Sequence, residues 1–169
     1  MGIYRYLREQ QQDPALASLW RERLLAWRQE PSTIRIERPT KLQRARSIGY
    51  KAKQGFILVR QRLLRGGHTR PQIKGGRRSK HFGTKLNLRK SYQWIAEERA
   101  QRKYDNLVVL NSYEVLRDGK YAWFEVVLID PSHPVIKADP AYQWLSAGKH
   151  KKRVFQGKTA AGKKSRRMM

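Results

Sequence analysis

Apolar residues recur with a helical period near the start of this chain and crowd into strand-like stretches later on. In residues 14–29, Leu16, Trp20, Leu24 and Trp27 fall at spacings of four, four and three, which is one stripe of a helix. Asp13 followed by Pro14 suits an N-cap and a first helical position, so the pattern predicts a helix over 14–29. Trp20 and Trp27 are expected in the core. Arg21, Arg23 and Arg28 lie off the stripe and are expected to be available to phosphates.

From Gly55 the pattern turns β-like. Residues 56–64 begin apolar and then place Arg60 and Arg62 two apart, on one side of a predicted strand. Residues 65–89 mix glycines and Pro71 with basic side chains and have little apolar period, which predicts an irregular loop. Ser91 is placed to cap a second helix running to about residue 103, with Arg102 and Lys103 at its C-terminal end. Residues 107–116 and 121–129 are β-branched and aromatic, and Asp118-Gly119 between them marks a tight hairpin, closed by Asp130-Pro131. Two strands are marginal alone, so the strand at 56–64 and the second helix are expected to complete a small α+β layer. No period is legible from Gly148 onward. The fold class expected is α+β: a small, mostly antiparallel sheet with packed helices, plus an extended basic loop and a C-terminal tail. One domain is expected over 1–147, including a basic segment at 41–90, with 148–169 as a basic C-terminal extension.

Composition changes this picture through charge. The chain has 169 residues, 38 Lys and Arg against 13 Asp and Glu, and a net charge of +25. The charge is segregated: 41–90 hold sixteen basic residues and no acid, and 148–169 hold nine and none. A field of that size opposes compaction unless a polyanion neutralises it, which points to nucleic acid. A spanning helix needs about eighteen apolar residues in a row. The longest apolar run, residues 123–129, is interrupted by Glu125, so no membrane partner is expected. Residues 1–6 do not resemble a secretory signal, and a cytoplasmic location is the default expectation. With no cysteine, disulfides and thiolate-zinc sites are excluded.

Candidate chemistry is thin. Gly157, Gly162 and Lys163 match the spacing of a phosphate-binding loop, but the next position is Lys164 where a metal-binding hydroxyl is needed, and no strand precedes it. His68, His81, His133 and His150 are too scattered for a metal site. The carboxylates that can be placed are expected on helix surfaces, at the hairpin turn or before prolines, where capping and solvation explain them. No catalytic set, cofactor, metal or small-molecule substrate is therefore expected. What remains is basic residues interleaved with aromatics and glycines, suited to neutralising phosphates, stacking on bases and approaching a backbone closely. The candidate RNA-binding residues are Arg44, Arg46, Tyr50, Lys51, Lys53, Arg60, Arg62, Arg65, Arg70, Lys74, Arg77, Arg78, Lys80, Lys85, Lys151, Lys152, Arg153, Lys163, Lys164 and Arg166. Charge alone does not separate RNA from DNA, so a chromatin-type DNA-binding protein and an RNA-modifying or RNA-cleaving enzyme stand as alternatives.

The run Arg46-Ser47-Ile48-Gly49-Tyr50-Lys51-Ala52-Lys53-Gln54-Gly55-Phe56 closely resembles the archaeal and eukaryotic large-subunit ribosomal protein family fifteen-e, unrelated to the bacterial protein of the same number. Similar in the same order are residues 1–6, Arg65-Gly66-Gly67, and the blocks at 96–100, 109–113, 124–131 and 157–166, so the resemblance spans nearly the whole chain. Residues 68–82 depart from the eukaryotic members. The resemblance implies a structural constituent of the large ribosomal subunit, with large-subunit ribosomal RNA and neighbouring ribosomal proteins as partners. It also implies an α+β core whose extended segments thread among RNA helices.

Overall fold

The computed structural model describes residues 2–11, 13–69, 72, 74–76 and 86–167. Among them, four strands form one antiparallel sheet: β1 (Thr33–Ile36), β2 (Phe56–Leu64), β3 (Val108–Arg117) and β4 (Tyr121–Ile129), in the order β1-β2-β4-β3. The hairpin and the strand at 56–64 stand where their patterns predicted. Asp118 closes the hairpin by accepting from the amides of Lys120 and Tyr121.

The central strand β4 reads as a nearly unbroken apolar run because both of its faces are covered. On one face, Ala122, Phe124, Val126 and Leu128 pack with Val59 and Leu63 of β2 beneath helix α4 (Tyr92–Lys103). Ser91 caps α4 by accepting from the Trp94 amide, as expected. On the other face, Trp123 meets Trp27 at 6.1 Å between ring centroids. Trp27 belongs to α2 (Ala17–Gln29), which is preceded by a 3-10 turn, Pro14–Leu16, capped by the Asp13 carboxylate. Both tryptophans of the stripe pack, as the periodicity required, Trp27 buried and Trp20 partly so.

Several elements carry no strong sequence signal. These are α1 (Ile3–Gln11), β1, the short α3 (Leu42–Ser47) and α5 (Pro134–Lys137). β1 owes its place to pairing with β2, including a Thr33 hydroxyl donating to the Gln61 side chain at 2.6 Å. α5 and the turn Gln143–Ser146 close one end of the sheet, with Ile136, Tyr142 and Leu145 packed on Val108 and Ile129. Gly55 makes that closure possible: its φ is +88°, and a Cβ there would lie 2.6 Å from Ile136 Cγ1.

Two expectations are corrected. The segment after Gly148 is not a tail without elements: it contains α6 (Ala160–Arg167) and buries Val154, Thr159 and Ala161 against α4. A few small side chains suffice, because the sheet's α4 face supplies the apolar surface the segment lacks. The carboxylates are not all solvated either, since Glu97, Glu98 and Glu125 are buried. Each has partners that offset desolvation. Glu125 accepts from the Tyr113 hydroxyl and from the amide and hydroxyl of Thr40. Glu97 accepts from Ser112 and Thr159. Glu98 pairs with Lys90 at 2.6 Å.

Candidate nucleic-acid interface

The fold divides the candidate cations into those turned outward and those used inside. α3 buries Gln43 and Ala45, which leaves Arg44 and Arg46 on its exposed side. Arg44 has no acidic partner among the described residues. Arg46 donates to the Tyr4 hydroxyl at 3.2 Å and so ties α1 to the body.

In the loop that follows, Tyr50 is half-buried, its ring edge-on to Phe56 at 5.9 Å. Lys51 and Lys53 both reach Asp139, at 3.0 and 2.5 Å, and Lys51 also lies over the Tyr142 ring at 4.9 Å. Hydrogen bonds from Lys53 and then Lys51 hold the Asp139 carboxyl well below the usual range. The bond to Asp139 raises Lys51 in turn. These lysines therefore clamp the loop onto the segment that closes the sheet.

Arg60 and Arg62 do share a side of β2, but that side faces α2. Arg60, its side chain only 11% exposed, pairs with Glu30 at 2.5 Å and lies 4.2 Å from the Trp27 ring centroid. Arg62 stacks over Tyr121 and donates to the carbonyls of Trp27 and Arg28. Arg65 donates to the Asp118 carbonyl across the hairpin turn. Lys74 is exposed. Arg70, Arg77, Arg78, Lys80 and Lys85 lie outside the described residues, as do Pro71, His81 and Gly83 of the predicted loop.

In the C-terminal segment, Lys151, Lys163 and Lys164 are exposed without an acidic partner among the described residues. Lys152 pairs with Asp105 at 2.9 Å. Arg153 is half-buried and donates to three carbonyls, those of Val109, Leu110 and Lys158. Arg166 donates to the Gly157 carbonyl at 2.9 Å. The glycine spacing near the C-terminus has a packing cause: a Cβ on Gly162 would lie 2.7 Å from Gly157 Cα. The first turn of α6 is closed by Thr159, whose hydroxyl accepts from the Gly162 amide and donates to Glu97. That geometry is a helix cap on a buried carboxylate rather than a phosphate cradle.

A groove of about 920 Å³ between α2, α3 and β3 is lined by Trp20, Arg21, Leu24, Lys41, Arg44 and Glu114, among others. Burial lowers the Lys41 pKa, with Glu114 and Glu125 opposing the shift. The carboxylates bordering it are engaged, Asp13 in its cap and Glu114 in a two-pronged bond to Arg117. Among the described residues no cluster of His, Asp and Glu has the makings of a metal site, and no helix is long and apolar enough to cross a membrane.

Sequence reasoning overlooked the exposed aromatics of the C-terminal half, Trp144 and Phe155, each with an arginine over its ring. The available signal was their position beside the basic run 149–153. The family model described as Ribosomal L15, that of the L15e proteins, matches residues 2–169.

Proposed function

We propose, for a chain that belongs to the L15e family of ribosomal proteins, that its structural role is to bind and stabilise folded large-subunit ribosomal RNA through cationic segments on a neutral core. The chain is a large-subunit ribosomal protein of the archaeal and eukaryotic type, part of a ribonucleoprotein acting in translation, and located in the cytoplasmic ribosome. Its family is structural and non-enzymatic in kind, with ribosomal RNA and ribosomal proteins as its partners.

The observation that carries the RNA reading is the direction of the charges. Apart from Glu22 and Glu37, each acidic side chain bonds within the protein, so the acids serve the fold while the excess of cations faces out. Neutralising phosphates releases counterions and supplies the affinity that a small core cannot. In this reading Arg44, Lys74, Lys151, Lys163 and Lys164 meet phosphates directly, together with Arg70, Arg77, Arg78, Lys80 and Lys85, while Lys51 and Lys53 hold the loop between them in place. Arg60, Arg62, Arg65 and Arg153 instead shape the surface that the RNA meets. Residues 148–169 act as a basic extension, whose described part, 148–167, folds back on the body.

The test is binding of the full chain to its cognate rRNA domain across a salt series. Log affinity should fall against log salt by roughly 0.7 to 0.9 per neutralised phosphate. A flat dependence would remove the reading, and equal affinity for duplex DNA of matched length would favour the chromatin-type alternative.

A further inference from the structure

Trp144 is 40% exposed although its neighbour Leu145 is buried, because the turn Gln143–Ser146 sends one side chain into the core and the other outward. A tryptophan is the largest aromatic surface a chain has to offer, and this one is held rigidly. Its indole N–H donates to the Ala141 carbonyl at 2.9 Å. His150 meets it edge-on at 4.8 Å between centroids, and the Arg153 guanidinium lies 5.1 Å from its ring centre. Arg153 is itself fixed by its three carbonyls.

On either side of His150 in the chain are Lys149 and Lys151, exposed and without an acidic partner among the described residues. Burial and then the nearby Arg153, Lys149 and Lys158 lower the His150 pKa. A protein partner covering Trp144 with apolar side chains would have to desolvate two lysines with nothing to pair them. A nucleotide supplies a flat face for the ring and an anion for each lysine. We infer that Trp144 is a stacking platform for an unpaired RNA base, with the flanking phosphates held by Lys149 and Lys151. The inference rests on the RNA reading above and adds a site to it. The rigid ring lowers the ordering cost of binding, and stacking tolerates any base, so Trp144 contributes affinity more than sequence choice.

The experiment uses the full chain and its cognate rRNA domain, comparing wild type with Trp144→Ala, Trp144→Phe and the double variant Lys149→Ala/Lys151→Ala. Trp144→Ala should weaken binding roughly thirtyfold, the middle of the range for loss of one base stack. Its salt slope should stay unchanged, because stacking releases no counterion, whereas the lysine double variant should reduce the slope by about 1.5. Trp144→Phe should recover most of the affinity. One unpaired nucleotide, protected from base-specific chemical modification by wild type, should become reactive with Trp144→Ala. If wild type binds with a steep salt dependence while Trp144→Ala matches its affinity and footprint, the inference is overturned and the RNA reading stands. It is equally overturned if Trp144→Phe, folded as judged by circular dichroism, binds as poorly as Trp144→Ala. If Trp144→Ala binds naked RNA normally but leaves reconstituted subunits more readily, Trp144 is a protein contact. Failure of wild type to bind the RNA at all would sink both readings.

Discussion

The hydroxyl of Thr159 donates a 2.6 Å hydrogen bond to the Glu97 carboxylate, and both side chains are wholly buried. Ser112 donates to the other carboxylate oxygen at 2.5 Å, so one acid joins the C-terminal segment, α4 and β3. The Trp94 indole reinforces the junction by donating to the Val154 carbonyl at 2.9 Å.

Thr159→Val keeps the shape and removes the donor, leaving one Glu97 oxygen and the Gly162 amide unmet. The cost should be about 1–3 kcal/mol. In the free wild-type protein the amides of residues 154–167 should be protected from exchange. In the variant they should lose protection while β2 and β4 keep theirs. An unprotected segment in wild type would contradict the packing described here.

The pH dependence of this junction follows from Glu97. Burial raises its pKa, partly opposed by the Ser112 and Thr159 hydrogen bonds and by Arg153. Folding therefore favours the protonated acid. Its contribution to stability is complete below the ordinary carboxylate pKa and is lost as pH rises through the raised value. Glu97→Gln, which cannot ionise, should flatten that decline in thermal unfolding followed from acid to neutral pH. Asp139 has the opposite sign: its lowered pKa stabilises the loop clamp above the ordinary carboxylate range, and the clamp is lost only as pH falls through the lowered value. Asp139→Asn should raise amide exchange at residues 50–55 at neutral pH.

Cations used inside the fold and cations facing out should respond differently to removal. Arg60→Ala strands Glu30 and uncovers Trp27, and should cost about 2 kcal/mol of stability while leaving the salt slope of RNA binding unchanged. Lys163→Ala/Lys164→Ala should leave the melting temperature within about 1 °C and lower the salt slope by about 1.5. Paired thermal unfolding and salt titrations distinguish the two classes.

Gly55→Ala should destabilise by about 1–3 kcal/mol from its left-handed backbone alone. The collision with Ile136 adds to that. Urea unfolding checks the value, and Ile136→Ala, which removes the Cγ1 in the way, should cost less in the Gly55→Ala background than in wild type.

Much of the scaffold was legible from local pattern. The strand at 56–64, the hairpin around Asp118-Gly119 and the helices capped by Asp13 and Ser91 each carry their own period, cap or turn chemistry within a few residues. Membership of the ribosomal family was legible too, because its longest block, residues 46–56, is contiguous. The short elements α1, β1, α3 and α6 were not. Helices of six to nine residues and a four-residue edge strand are too short to hold themselves together and exist through their neighbours.

By itself the sequence determined the sign and the segregation of the charge, since a count of lysines and arginines needs no fold. Only the tertiary structure decided where each charge is spent. Arg60 and Lys163 are both basic residues in basic stretches, yet one is enclosed by Glu30 and Trp27 while the other faces solvent. Glu97 sits in a helix that also carries exposed Arg99 and Arg102, yet it is fully buried, because its partners Ser112 and Thr159 come from distant parts of the chain. A side chain's hydration and partners are properties of the packed chain, and Coulomb and desolvation energies depend on distances that sequence spacing does not encode.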